Sequence, residues 1–149
     1  AEGVIFAHGG VGGGHTLYIK DGELVYLYNW LGEKFQYTRS GGITPGHHVY
    51  TAEFTITGQD EVTKSAIGTL KLYMDDKVVG ESEIWTQPGS FALAGDGLNV
   101  GLDRGSPTSP EYLPPFEFEG GEIVKVVVDV SGEPYVDHEM QVRAWMALD

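Results

Sequence analysis

The chain has 149 residues, with 22 acidic against 9 basic side chains, a formal charge of −13 and no cysteine. That charge repels phosphate backbones and anionic lipid, so nucleic acid and membrane surfaces are excluded as expected partners. Without cysteine there is no disulfide, thiolate metal site or Cys nucleophile, and no stretch reaches the roughly 18 apolar residues of a membrane helix.

In chain order the pattern is short β-rich runs punctuated by turn residues. Val4 to His8 reads as a strand, Gly9 to Gly14 as a glycine turn where backbones pass closely, and Thr16 to Lys20 as a second strand. Asp21-Gly22 then predicts a tight hairpin into Glu23–Trp30, because both turn positions need positive φ. Phe35 to Arg39 follows, broken by Ser40-Gly41-Gly42. Pro45-Gly46 opens the run from His47 to Thr57, which alternates Tyr50, Ala52, Phe54 and Ile56 against Val49, Thr51, Glu53 and Thr55. The first set is the more apolar and marks the buried face.

A polar segment from Gly58 to Ser65 leads to a strand over Ile67–Met74, a turn at Asp75-Asp76-Lys77, and a strand over Val78–Trp85. Two short pieces, Phe91 to Leu93 and Leu98 to Val100, precede an irregular stretch from Asp103 to Phe116 with four prolines. Those prolines lower the entropy cost of ordering, so this stretch is expected to be an ordered loop anchored by Tyr112 and Phe116. Ile123 to Val130, nearly continuous in Val and Ile, reads as a strand buried on both faces. The tail carries Met140, Ala144 and Leu148 at spacings of four, with Asp137 as an N-cap, which predicts a short helix over 135–149. The expectation is one all-β domain, a two-sheet antiparallel sandwich of jelly-roll type resembling lectins and glucanases over 1–134, closed by that C-terminal helix. The start, without Met and strand-like at once, reads as a processed product or a piece of a longer chain.

Several residue sets invite chemistry. Gly9 to Gly14 lacks the Lys-Ser/Thr and the following helix of a phosphate loop. Among His8, His15, His47, His48 and His138 no pair has helical metal-ligand spacing, and His47 and His48 point to opposite faces of one strand. Asp21, Asp75, Asp76, Asp96 and Asp103 lie in turns, where sandwich domains hold structural calcium; no ordered Asp-x-Asp spacing is present, and a structural calcium stays open as the lesser alternative. Glu81 and Glu83 share a strand face with Trp85, and paired carboxylates about 5 Å apart carry retaining glycosidase chemistry. A solvated strand face explains them equally well. Tyr26, Tyr28 and Trp30 share one face of their strand and, with Trp85, form a carbohydrate-stacking platform if exposed, or core if buried.

Taken in order, these motifs resemble a known family. They are Gly9-Gly10, Gly13-Gly14, Leu17 to Gly22, Tyr28 to Gly32, Pro45 to His48, Gly68 to Leu70 and Tyr73 to Asp75. The most specific is Asn99-Val100-Gly101-Leu102-Asp103-Arg104-Gly105-Ser106-Pro107, followed by Tyr112, Pro115-Phe116 and Phe118. The chain resembles the C-terminal β-sandwich domain of long bacterial arylsulfatases, of the alkaline-phosphatase-like sulfatase family. The resemblance implies a non-catalytic accessory domain whose partner is the catalytic domain of the parent hydrolase. That catalytic domain would hold the formylglycine nucleophile and the divalent cation. None of its motif residues occurs here, so no catalytic or metal position carries over. Asp103, Arg104, Ser106, Tyr112 and Phe116 are the candidates for a domain-contact loop. Two other functions stay open, a lectin-like carbohydrate-binding module and a jelly-roll glycosidase using Glu81 and Glu83.

Overall fold

The computed structural model describes residues 1–62, 65–86, 98–104, 106–131 and 139–148, with backbone alone for 98, 127–131 and 139–148. Ten strands are present: β1 (Gly3–Gly10), β2 (Gly13–Lys20), β3 (Glu23–Trp30), β4 (Lys34–Gly42), β5 (His47–Gln59), β6 (Ala66–Met74), β7 (Lys77–Trp85), β8 (Leu98–Val100), β9 (Gly121–Ser131) and β10 (Glu139–Leu148). They form two five-stranded antiparallel sheets, ordered β4-β3-β2-β1-β8 and β7-β6-β5-β10-β9. Each sheet is a meander to which a later strand returns beside the first, the spatial order of a Greek key. The chain is therefore an all-β sandwich, as the alternation predicts.

The turns follow their residues. Asp21 and Gly22 have φ of 53° and 74°, which matches the hairpin read from Asp-Gly. The Gly9–Gly14 run closes the β1–β2 hairpin, with Gly9 opposite Gly14. A Cβ on Gly14 would sit 2.1 Å from the His8 carbonyl oxygen, so only glycine lets the two strands curl together there.

Two expectations fail. The tail is strand β10, inserted between β5 and β9, and no helix occurs among the described residues; Asp137, the expected cap, lies outside them. Met140, Ala144 and Leu148 recur every four residues, which suits a strand's period of two as well as a helix's turn. Met140, Val142 and Ala144 fall opposite Phe54, Ala52 and Tyr50, the apolar set of β5, and that pairing decides the conformation. Strand β9, expected to be buried on both faces, is the last strand of its sheet, and Val124 is 58% exposed at an irregularity in its pairing.

Apolar side chains occupy two layers. Between the sheets lie Ile5, Phe6, Leu17, Ile19, Leu24, Tyr26, Tyr28, Tyr50, Ala52, Leu70, Leu72 and Ile84. An irregularity between Val4 and Phe6 lets both Ile5 and Phe6 join this layer. The second layer, Val4, Ala7, Tyr18, Val25, Leu27 and Tyr112, sits on the outer face of the first sheet. Strands β1 to β3 are thus buried on both faces. Along one side the sheet edges touch: Gln36 donates to the Trp85 carbonyl at 2.8 Å and accepts from the Trp85 amide at 2.9 Å. The Gln36 amide thereby occupies the free β7 edge as a neighbouring strand would, which protects it from foreign pairing.

Candidate functional site

The most developed polar constellation is the loop over the outer face of the first sheet. Its two ends are fixed by backbone bonds from Asp103 N to the Pro115 oxygen and from Val4 N to the Phe116 oxygen, at 2.8 and 2.9 Å. Asp103 is fully buried. Its Oδ2 accepts from the Thr108 amide at 2.8 Å and from the Tyr112 hydroxyl. That hydroxyl lies 3.3 Å from Thr16 Oγ1, which donates to the Phe6 carbonyl. Tyr112 stacks on Phe116 and meets Tyr18 edge-on, with ring centroids 5.1 Å apart in each pair. Burial, with the bond to Asp103, pushes the Tyr112 hydroxyl pKa well above its ordinary value. Tyr112 and Phe116 do anchor this loop, as their positions suggest.

A second set of bonds ties the loop to the sheet edge. Tyr18 donates to Glu111, and Arg39 reaches the other Glu111 oxygen at 2.7 Å while lying 4.7 Å over the Tyr37 ring. Burial raises the Glu111 pKa, but the Arg39 and Tyr18 bonds outweigh it and hold the carboxyl below its ordinary value. Asn29, also fully buried, joins three segments. Its amide donates to the carbonyls of Gly10, Val11 and Thr108, and its carbonyl accepts from Gly32 N at 2.8 Å. The sequence hinted at Asn29 only as a lone polar residue ending an apolar strand.

Of the five expected contact residues, Asp103, Tyr112 and Phe116 therefore turn inward onto their own sheet. Arg104 and Ser106 are exposed, and Ser106 Oγ accepts from Val11 N at 3.1 Å.

The aromatic row is not a surface platform. Tyr26 and Tyr28 are 5% and 9% exposed in the layer between the sheets. Trp30 packs against the same layer and donates Nε1 to the Thr86 carbonyl. Period two placed these three on one face correctly, but that face is core. Trp85 alone of the four candidates is exposed, at 39%, with Nε1 donating to Glu83 at 3.1 Å and Lys34 lying 5.9 Å from its ring centre. Glu81 and Glu83 are both exposed on the outer face of the second sheet, opposite Lys71 and Thr69.

The histidines and turn carboxylates are dispersed. His8 and His15 are paired across β1 and β2 with rings 5.9 Å apart, and His15 Nδ1 lies 2.8 Å from the Tyr26 hydroxyl. His48 bonds Asp75, exposed Asp21 pairs with Lys20, and Asp103 serves the loop. His138 and Asp96 lie outside the described residues. Among the described residues no three His, Asp or Glu side chains converge as metal ligands.

One end of the sandwich exposes three apolar side chains, with Glu33 and Lys34 also exposed between two of them in sequence. Val11, Leu31 and Phe35 are 60%, 45% and 37% exposed. Asn29 brings Val11 and the Leu31-Gly32 turn together, Phe35 pairs with Asn29 across β3 and β4, and Ser106 fixes the proline-rich loop beside Val11. Leu31 has φ of 53°. Asp21, Asp75 and Phe116 also have positive φ; Asp tolerates it, whereas Leu31 and Phe116 are strained, and of these two only Leu31 is exposed. Comparison with protein-family models, curated proteins and solved structures brings out no match. The resemblance to sulfatase sandwiches rests on the quoted residues alone.

Proposed function

We propose that this sandwich is a non-catalytic accessory domain of an arylsulfatase-like hydrolase, packing against the catalytic domain through the end formed by Val11, Leu31 and Phe35. The observation that carries this reading is Leu31, an apolar side chain held exposed in a left-handed turn that Asn, Asp or Gly would fill with less strain. Strain at an exposed apolar position is what a contact residue costs, and the proline-rich loop that carries the resemblance is fastened beside it. Burial of Tyr26 and Tyr28 removes the main support for a carbohydrate-stacking platform.

The test mixes the purified chain with the catalytic domain of a long bacterial arylsulfatase lacking its own C-terminal sandwich. The two should co-elute on size exclusion, and Val11→Glu with Leu31→Glu should abolish the complex without unfolding the chain. Separate elution of wild-type chain and catalytic domain would overturn the reading.

A further inference from the structure

Where the chain crosses from the first sheet to the second, one histidine faces two acceptors. His48 is the second residue of β5, and its Nδ1 lies 2.9 Å from Asp75 Oδ2 on the β6–β7 turn. Its Nε2 lies 3.0 Å from the Thr44 carbonyl oxygen in the crossover itself, with the Thr44 hydroxyl farther away at 3.5 Å. A carboxylate and a carbonyl oxygen can only accept, so both bonds form together only when both ring nitrogens carry hydrogen. A neutral imidazole has one N–H and must give up one bond.

Asp75 is held from its other side as well. Its Oδ1 accepts from Val49 N at 3.0 Å, and its own amide donates to the Val49 carbonyl at 2.7 Å. With hydrogen on both nitrogens, His48 completes a clasp joining crossover, β5 and the β6–β7 turn. The other titratable groups nearby are Tyr50 on β5, its ring centroid 5.8 Å from that of His48, His47, whose charge acts on Asp75, and Asp76 and Lys77, which follow Asp75 in the chain. From β10 the register partner is Met146, which carries no charge.

We propose that His48, Asp75 and Thr44 form a proton-dependent latch that fastens the sheet-to-sheet crossover in mildly acidic solution and half-releases it in alkaline solution. The device is independent of what the domain packs against. Its directions follow from the bonds. Deprotonation of His48 removes one bond as pH rises. The Asp75 carboxyl is held below its ordinary value by the Val49 amide first and His48 second, so it keeps its charge well into acid. The latch is whole between those two events.

Nitrogen-detected NMR of the full chain reads both ring nitrogens of His48 directly, and amide hydrogen exchange reads the crossover. In mildly acidic solution both nitrogens should carry hydrogen, and in alkaline solution only one. Across that interval, after correction for base-catalysed exchange, the Val49 and Asp75 amides should lose about tenfold in protection. His48→Gln should show no such pH-linked loss. A single neutral tautomer throughout mildly acidic solution, or unchanged protection in the wild-type chain, would overturn the latch. The wild-type measurement decides even if the variant fails to fold.

Discussion

His15 packs among Phe6, Tyr26 and Tyr28. Burial, helped by the charge of neighbouring His8, pushes its pKa down from 6.5 to about 3. Between those values the unfolded chain binds a proton that the folded chain refuses, so this contribution to stability is whole above the upper value and falls as pH drops toward the lower one. The slope is at most about 1.4 kcal/mol per pH unit. His15→Gln should flatten urea-unfolding stability between about pH 6 and pH 4 relative to wild type; an unchanged slope would place the acid sensitivity elsewhere. Leu31→Asn should raise the stability of the isolated chain by up to about 1 kcal/mol through relief of strain, while weakening any complex with the catalytic domain. Asn29→Ala removes a buried amide whose partners include the buried Gly10 and Thr108 carbonyls, and should cost about 3 kcal/mol in the same unfolding assay. None of these roles was legible in the sequence. A lone His, Asn or Leu in a β-rich run carries no sign of which neighbours the fold will bring to it.

At the scale of elements, local pattern told strand from turn well and failed where two periods coincide. Asp21-Gly22 and the alternation through β5 specify their structure by local chemistry. The tail did not, because Met140, Ala144 and Leu148 satisfy both periods and only pairing with β5 separates them. The proline-rich loop was legible as ordered, yet its direction was not: Asp103 and Tyr112 serve the covering of their own sheet. Tyr112→Ala should destabilise by about 3–5 kcal/mol, as for a large aromatic truncation, and render residues 103–118 the first site of proteolysis. Tyr112→Phe, which keeps the ring and removes one buried bond, should cost about 1–2 kcal/mol. Equal losses in the two variants would show that the ring contributes nothing and that the hydroxyl holds the loop.

For the whole molecule, a two-sheet sandwich follows from many short strands joined by tight turns without intervening helices. Its asymmetry does not: one sheet carries a cover of loop and aromatic side chains, and the end beside that cover exposes Val11, Leu31 and Phe35. The loop carboxylate and tyrosines are committed to holding that cover on the sheet. Glu81 and Glu83 are the one carboxylate pair in the sequence reading that suggested turnover, and they stand exposed on the outer face of the second sheet. The most direct measurement is therefore hydrolysis of an aryl sulfate and of a β-glucan by the purified chain. The account predicts no rate above background for either substrate, for wild type and for Glu81→Gln or Glu83→Gln alike. Turnover that follows this chain through successive chromatography steps and disappears in one of those variants would contradict it.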